Sequence, residues 1–184
     1  MEFFYTVSSQ QNAIQNKPEL SLGGFCSESK VPNGSFENLF SEISPYMMQK
    51  PKAEYIGLML KNTTSTPISE ISFWMNVPDD SICKFRLAIV ETNDKGMMET
   101  IPSVNSKPLY ADFHETSENN KIELSLSEAL QVGDCMGIWI ERTLNMESEQ
   151  IKDRNNCDVL FQMFEQNQKW PTEETIQLKI SYEL

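Results

Sequence analysis

The sequence predicts an all-β protein: a single-domain sandwich over residues 1–184, with jelly-roll or Greek-key wiring and at most one short helix. Three observations predict it. Apolar and polar residues alternate with a period of two in several separate segments, clusters of Pro, Gly, Asn and Asp divide those segments, and helical spacing is scarce.

Taken in chain order, Phe3, Tyr5 and Val7 alternate within the first residues and predict an extended N-terminal segment. The segment 54–60 (EYIGLML) is apolar on both faces and carries Gly57. In 71–75 (ISFWM), Ile71, Phe73 and Met75 share one face and Trp74 takes the other. Residues 82–91 turn Cys83, Phe85, Leu87 and Ile89 inward and Lys84 and Arg86 outward. Residues 121–127 set Ile122, Leu124 and Leu126 against Lys121, Glu123 and Ser125. The segment 135–141 (CMGIWIE) is again apolar on both faces and carries Gly137. Residues 175–183 close the series with Ile176, Leu178, Ile180 and Tyr182 on one face. Continuous apolar runs mean burial on both sides. Their mid-strand glycines mark either a bulge or close backbone approach in a central strand, or a face covered by a neighbouring subunit.

Turn chemistry fills the intervals. Val31-Pro32-Asn33-Gly34 sets a turn, and Asn93-Asp94-Lys95-Gly96 predicts a short hairpin loop after the strand ending at Glu91. Breaks follow at Thr63–Pro67 and Val77–Asp80, and Val132-Gly133-Asp134 introduces the strand with Trp139. Asn156 or Asp158 could cap a short helix bearing Val159, Leu160, Met163 and Phe164, although a strand fits that segment almost as well. Residues 144–154 are polar and read as a long loop with a helical turn.

Composition narrows the function. A chain of 184 residues buries about two-thirds of its unfolded surface, and ten Phe, ten Met and three Trp can furnish that core. Fifteen Lys and Arg against 27 Asp and Glu give a net charge of −12, which argues against nucleic acid and anionic membranes as partners. No apolar run is long enough to span a bilayer. Cys26, Cys83, Cys135 and Cys157 form no CxxC pair, and the first residues lack a signal-peptide pattern. Reduced thiols and synthesis in a reducing cytoplasm are expected.

Chemistry-bearing motifs are few. His114 is the one histidine; it reads as a surface or loop-end residue, and no ligand spacing around it supports zinc. A Ser or Cys nucleophile would need that same imidazole as its base, and no nucleophile elbow is present. Asp79-Asp80 lies in a turn without a calcium-loop pattern, and Gly23-Gly24 lacks the residues of a phosphate cradle. Asn33-Gly34-Ser35 and Asn62-Thr63-Thr64 match glycosylation sequons by chance. The reading is a non-enzymatic domain that needs no cofactor or metal. Trp74, Trp139, Phe73, Tyr110 and Phe113 could instead form a sugar-stacking platform, so a carbohydrate-binding module is the alternative.

Residues 21–25 (SLGGF), 31–44 (VPNGSFENLFSEIS), 53–75 (AEYIGLMLKNTTSTPISEISFWM) and 133–144 (GDCMGIWIERTL) together carry a likeness. They resemble small virion structural proteins of tailed bacteriophages, of the crAss-like type that infects gut Bacteroidales. The resemblance implies a β-sandwich made in the host cytoplasm and built into the virion in several copies, as a head–tail connector, tail ring or capsid decoration. Its partners would be copies of itself and neighbouring virion proteins. Strand addition at sheet edges is a common way to make such contacts. The expected interface residues are Phe3, Tyr5 and Val7 at the N-terminus, Trp74, and Ile176, Leu178, Ile180 and Tyr182 at the C-terminus.

Overall fold

The computed structural model describes residues 1–10, 13–32, 39–41, 43, 47, 50–77 and 81–145, and the backbone of 177–182. Its strands in chain order are β1 (Glu2–Val7), β2 (Gly23–Lys30), β3 (Glu54–Lys61), β4 (Ile68–Asn76), β5 (Cys83–Val90), β6 (Met97–Thr100), β7 (Ile122–Leu130), β8 (Cys135–Leu144) and β9 (Gln177–Tyr182). They make a six-stranded antiparallel sheet in the order β5-β8-β3-β1-β2-β6 and a three-stranded sheet in the order β7-β4-β9. The all-β, sandwich-like expectation holds.

Alternation explains the first core. On one face of the large sheet, Tyr5, Ile56, Leu58, Leu60, Phe85, Leu87, Ile138 and Ile140 pack against Ile71, Phe73 and Met75 of β4. Ile122, Leu124 and Leu126 of β7 reach the same core from its margin. Facing sheets with interdigitating inner faces are the usual sandwich solution.

The opposite face of the large sheet is buried as well. Tyr55, Met59, Ala88 and Trp139 lie there beneath Cys26, Met98, Ile101 and Phe113. This is why β3 and β8 read as continuously apolar: both are central strands, and their own chain covers both faces. Among the described residues, the buried Trp139 indole N–H has no hydrogen-bond partner. An unmet donor costs about 1–3 kcal/mol, and burying a ring of this size contributes about 4–6 kcal/mol, so area prevails.

The glycines let the second layer approach. A Cβ on Gly57 would sit 3.1 Å from the Gly23 amide nitrogen and 3.1 Å from Met98 Cε. One on Gly137 would meet Val90 Cγ2 at 2.7 Å and Met98 Cβ at 3.2 Å. Strand β6 therefore passes over β3 and β8, although it stands at the far end of the sheet from β5. The sheet curls to bring it there.

Two expectations are corrected by this arrangement. The turn at Asn93–Gly96 exists: Gly96 has φ +70°, and Asn93 Oδ1 accepts the Lys95 and Met97 amides. It does not make a hairpin, because β5 pairs with β8 and β6 crosses over to pair with β2. The N-terminal strand is not a free edge either. β1 lies between β2 and β3, with Tyr5 and Val7 buried and Phe3 packed on the core. Other expectations lie outside the described residues: Asn33, Gly34 and the sequon they belong to, Asp79-Asp80, the helix or strand at 156–164, and all of the loop 144–154 beyond Asn145.

The Thr63–Pro67 break is organised by Asn62. Its side-chain amide donates to the Thr66 and Leu130 carbonyls at 2.9 Å each, and its Oδ1 accepts the Thr64 amide at 3.0 Å. Buried and fully engaged, Asn62 is part of the frame.

Gly23 (φ +86°) and Gly96 (φ +70°) both take positive φ, but a Cβ on Gly23 would lie 1.8 Å from the Glu99 carbonyl oxygen while one on Gly96 meets nothing within 4 Å. Urea unfolding should show Gly96→Ala losing about 1–2 kcal/mol and Gly23→Ala losing more than about 4 kcal/mol. Equal losses would mean that β2 and β6 are not in contact there.

Candidate functional site

Exposed apolar side chains concentrate attention on the segment that follows β6. Leu109 and Tyr110 are 82% and 83% exposed, against a second core that is closed a few residues away. Their backbone is held firmly. The Glu99 carboxylate accepts the Leu109 amide at 2.9 and 3.0 Å and the Tyr110 amide at 3.2 Å. Bonds to an ionised acceptor are stronger than neutral ones. Below them the segment is pinned to the sheet: the Ile101 amide donates to the Leu22 carbonyl at 2.9 Å, the Tyr55 amide to Val104 at 2.6 Å, and Asn105 Nδ2 to Ala53 at 3.0 Å. Beyond the tip, Phe113 returns to the core, 5.5 Å from the Tyr55 ring between centroids. The result is a rigid pedestal with two large apolar groups at its top.

Beneath this pedestal lies a buried polar cluster. Glu141, 3% exposed, accepts the Tyr55 hydroxyl on Oε1 at 3.0 Å and the Arg86 guanidinium on Oε2. Burial first, and then the bond to Glu141, push the Tyr55 phenol up to about 12. A second pair holds the opposite face: Arg142 donates through Nε to Glu54 at 2.9 Å and through Nη2 to the Ser41 carbonyl at 2.7 Å, with its guanidinium 4.6 Å above the Phe40 ring. Both oxygens of Glu141 are engaged, and Arg142 is spent on closing residues 39–41 over the first core. These groups brace the sheet.

The third feature is a cleft of about 280 Å³ lined by His114, Glu115, Thr116, Asn120, Lys121 and Ile122. Local bonds shape it: the Met75 amide donates to Thr116 Oγ1 at 3.0 Å and Asn120 Nδ2 to the Glu115 carbonyl at 2.9 Å. His114 is exposed, with Nε2 3.3 Å from Asp112, and its backbone bridges to Leu87. That is the loop-end position expected of it. Trp74 sits beside the cleft on the outer face of β4, half-buried, with Lys121 Nζ 4.2 Å above its ring. A cation–π contact thus occupies one face of the ring that a sugar would need.

The expected interface residues do not gather in one place. Phe3, Tyr5 and Val7 belong to the interior, and Trp74 lies on the second sheet. Leu178, Ile180 and Tyr182 stand opposite Met75, Phe73 and Ile71 in the register of β9 with β4. β9 is an end strand of its sheet. Ile176 lies outside the described residues. Leu109 and Glu99 were not anticipated; the signal available was two large apolar residues in the turn-rich stretch after Pro108. Among the described residues, no three His, Cys, Asp or Glu side chains gather where a metal could be held. Among them, too, no helix is long and apolar enough to cross a membrane.

Comparison with known proteins found no match: no family model, curated protein or solved structure resembles this chain at a significant level.

The Tyr55 phenol titrates later when folded than its ordinary 10, so its contribution to stability is complete below pH 10 and is lost as pH rises through about 12. Tyrosinate absorbance of the folded protein should show this late phase, and Glu141→Gln should move it to lower pH. An unchanged curve in that variant would remove Glu141 from the account.

Proposed function

We propose that this protein is a non-enzymatic structural component of a phage particle, binding other virion proteins or further copies of itself. The observation that carries the protein-binding part is the Leu109–Tyr110 tip. Two large apolar side chains exposed by more than four-fifths, on a backbone fixed by Glu99, make a preorganised anchor. Isolated exposed hydrophobics are ordinary, but adjacent ones on a rigid support are what a partner's pocket can take up at little cost in order. The virion setting rests on the resemblance of residues 21–25, 31–44, 53–75 and 133–144 to small virion proteins.

The end strand β9 offers a second contact of a different kind. Its outer side, unpaired among the described strands, can take up a strand from a neighbour, as assembly proteins do. The net charge of −12 opposes random self-association and favours a partner of complementary charge.

A carbohydrate-binding role would use Tyr110 as a stacking surface and would have no need of Leu109. Single variants therefore separate the two readings.

The expected outcome is that Leu109→Ser with Tyr110→Ser leaves the thermal midpoint within a few degrees of the parent, since both side chains are exposed. Co-sedimentation with assembling particles should fall by tenfold or more, and each single variant should weaken it. A double variant that incorporates normally, or a parent chain that stays monomeric and joins no particle, would overturn the assignment. A glycan-dependent signal lost with Tyr110→Ser and retained with Leu109→Ser would transfer it to the carbohydrate reading.

A further inference from the structure

The cleft beside His114 carries a chemistry that protein assembly leaves unused. Trp74 stands half-buried on the outer face of β4, and the Lys121 ammonium lies 4.2 Å above its ring. Lys121 is itself half-buried, immediately before β7, and among the described residues no carboxylate pairs with it. In a chain with 27 Asp and Glu, a lysine steadied by an aromatic ring and not by an acid keeps N–H donors for a ligand. On the other side of β4, the register puts the position of Lys179 opposite Trp74. Two lysine positions therefore flank one tryptophan on the small sheet.

The rest of the cleft is equipped for hydroxyl groups. Thr116 Oγ1 accepts the Met75 amide at 3.0 Å and keeps its own proton to donate. Asn120 Nδ2 donates to the Glu115 carbonyl at 2.9 Å, which fixes the side-chain amide and leaves its Oδ1 as an acceptor. Glu115 adds a carboxylate to the lining, and Ile122 adds an apolar patch. At about 280 Å³ the cleft is smaller than those that take drug-sized ligands, about 300–1,000 Å³, and suits a single ring.

We infer that this cleft is a binding site for an acidic sugar, a uronic acid residue of a glycan, whose carboxylate pairs with Lys121 and whose hydroxyls bond to Glu115, Thr116 and Asn120. Charge decides the selectivity. A neutral sugar would have to stack on Trp74, and Lys121 already covers one face of that ring. A carboxylate instead meets the ammonium where Trp74 holds it. Placed beforehand, Lys121 loses little side-chain freedom when the ligand arrives. The site makes no use of Leu109 or Tyr110, so its test stands apart from that of the assembly reading.

The intact, isotope-labelled chain is titrated with sodium glucuronate and, in parallel, with glucose and with sodium acetate at matched ionic strength. Chemical shifts of the Trp74 indole N–H and the Asn120 side-chain amide are followed. Both should move saturably with glucuronate, and the affinities for glucose and for acetate should be lower by about tenfold or more. Lys121→Met, which keeps the aliphatic stem, should weaken glucuronate binding by about tenfold. Lys121→Arg should retain it, and Tyr110→Ser should leave it unchanged. Shifts that never saturate with glucuronate, or equal affinity for glucose or for acetate, would overturn the inference on the parent chain alone. So would a Lys121→Met variant that binds glucuronate as tightly as the parent, or loss of the signal in Tyr110→Ser.

Discussion

The close crossing at Gly57 is the constraint on which the rest of the fold depends. There the chain between β1 and β2 passes directly over β3, and a small clasp of polar groups holds it. Ser21 Oγ donates to the Gly57 carbonyl at 2.6 Å and accepts the Thr6 amide at 2.8 Å; Thr6 Oγ1 accepts the Gly23 amide at 2.9 Å. The Gly57 amide in turn donates to the Ser21 carbonyl at 2.7 Å. Each group is buried and each is satisfied, which is the condition under which a polar cluster inside a core is stabilising. With the clasp closed, β2 and β6 can lie over the second face of the sheet, and Trp139 gains its cover.

A sheet covered on both faces by its own chain has a consequence for binding. The apolar surface of β3 and β8 is consumed internally, so no neighbouring subunit is needed to complete it. The N-terminal strand is consumed as well. Among the described residues, what the curl leaves at its margins includes the end strands of the small sheet, the cleft by His114, and the Leu109–Tyr110 tip, with Ile14, Leu20 and Val132 exposed elsewhere. The tip is the best anchored of these. Its support, Glu99, sits in β6, the strand that closes the second core, so anchor and fold share one element.

Much of the fold was legible because it follows from alternation. The segments that became β4, β5, β7 and β9 show period two plainly, and the double-sided runs of β3 and β8 announced their central position. Gly57 and Gly137 could be read as points of close approach, although not against what. Strand β2 was not legible, since Gly23–Lys30 offers only Phe25 and Cys26 as large or apolar side chains and is held by its neighbours on either side. The pattern of Phe3, Tyr5 and Val7 signals one apolar face and says nothing about edges. What buries β1 is partly Thr6, a polar residue whose satisfaction depends on Ser21 and Gly57. Likewise the turn at Asn93–Gly96 is a local matter, while the partner of β6 is chosen by Gly23 and Gly24 far away in sequence. For the same reason the exposure of Leu109 becomes visible only in three dimensions.

Hydrogen exchange, compared between the free chain and the chain in the particle proposed for it, tests the central claim most directly. Residues 1–7, β3 and β8 should already be among the slowest to exchange in the free protein, because the Gly57 crossing opens only when the whole fold opens. Protection gained on assembly should then fall on the margins, around Leu109 and Tyr110. New protection confined to residues 1–7, with rapid exchange there beforehand, would contradict the account.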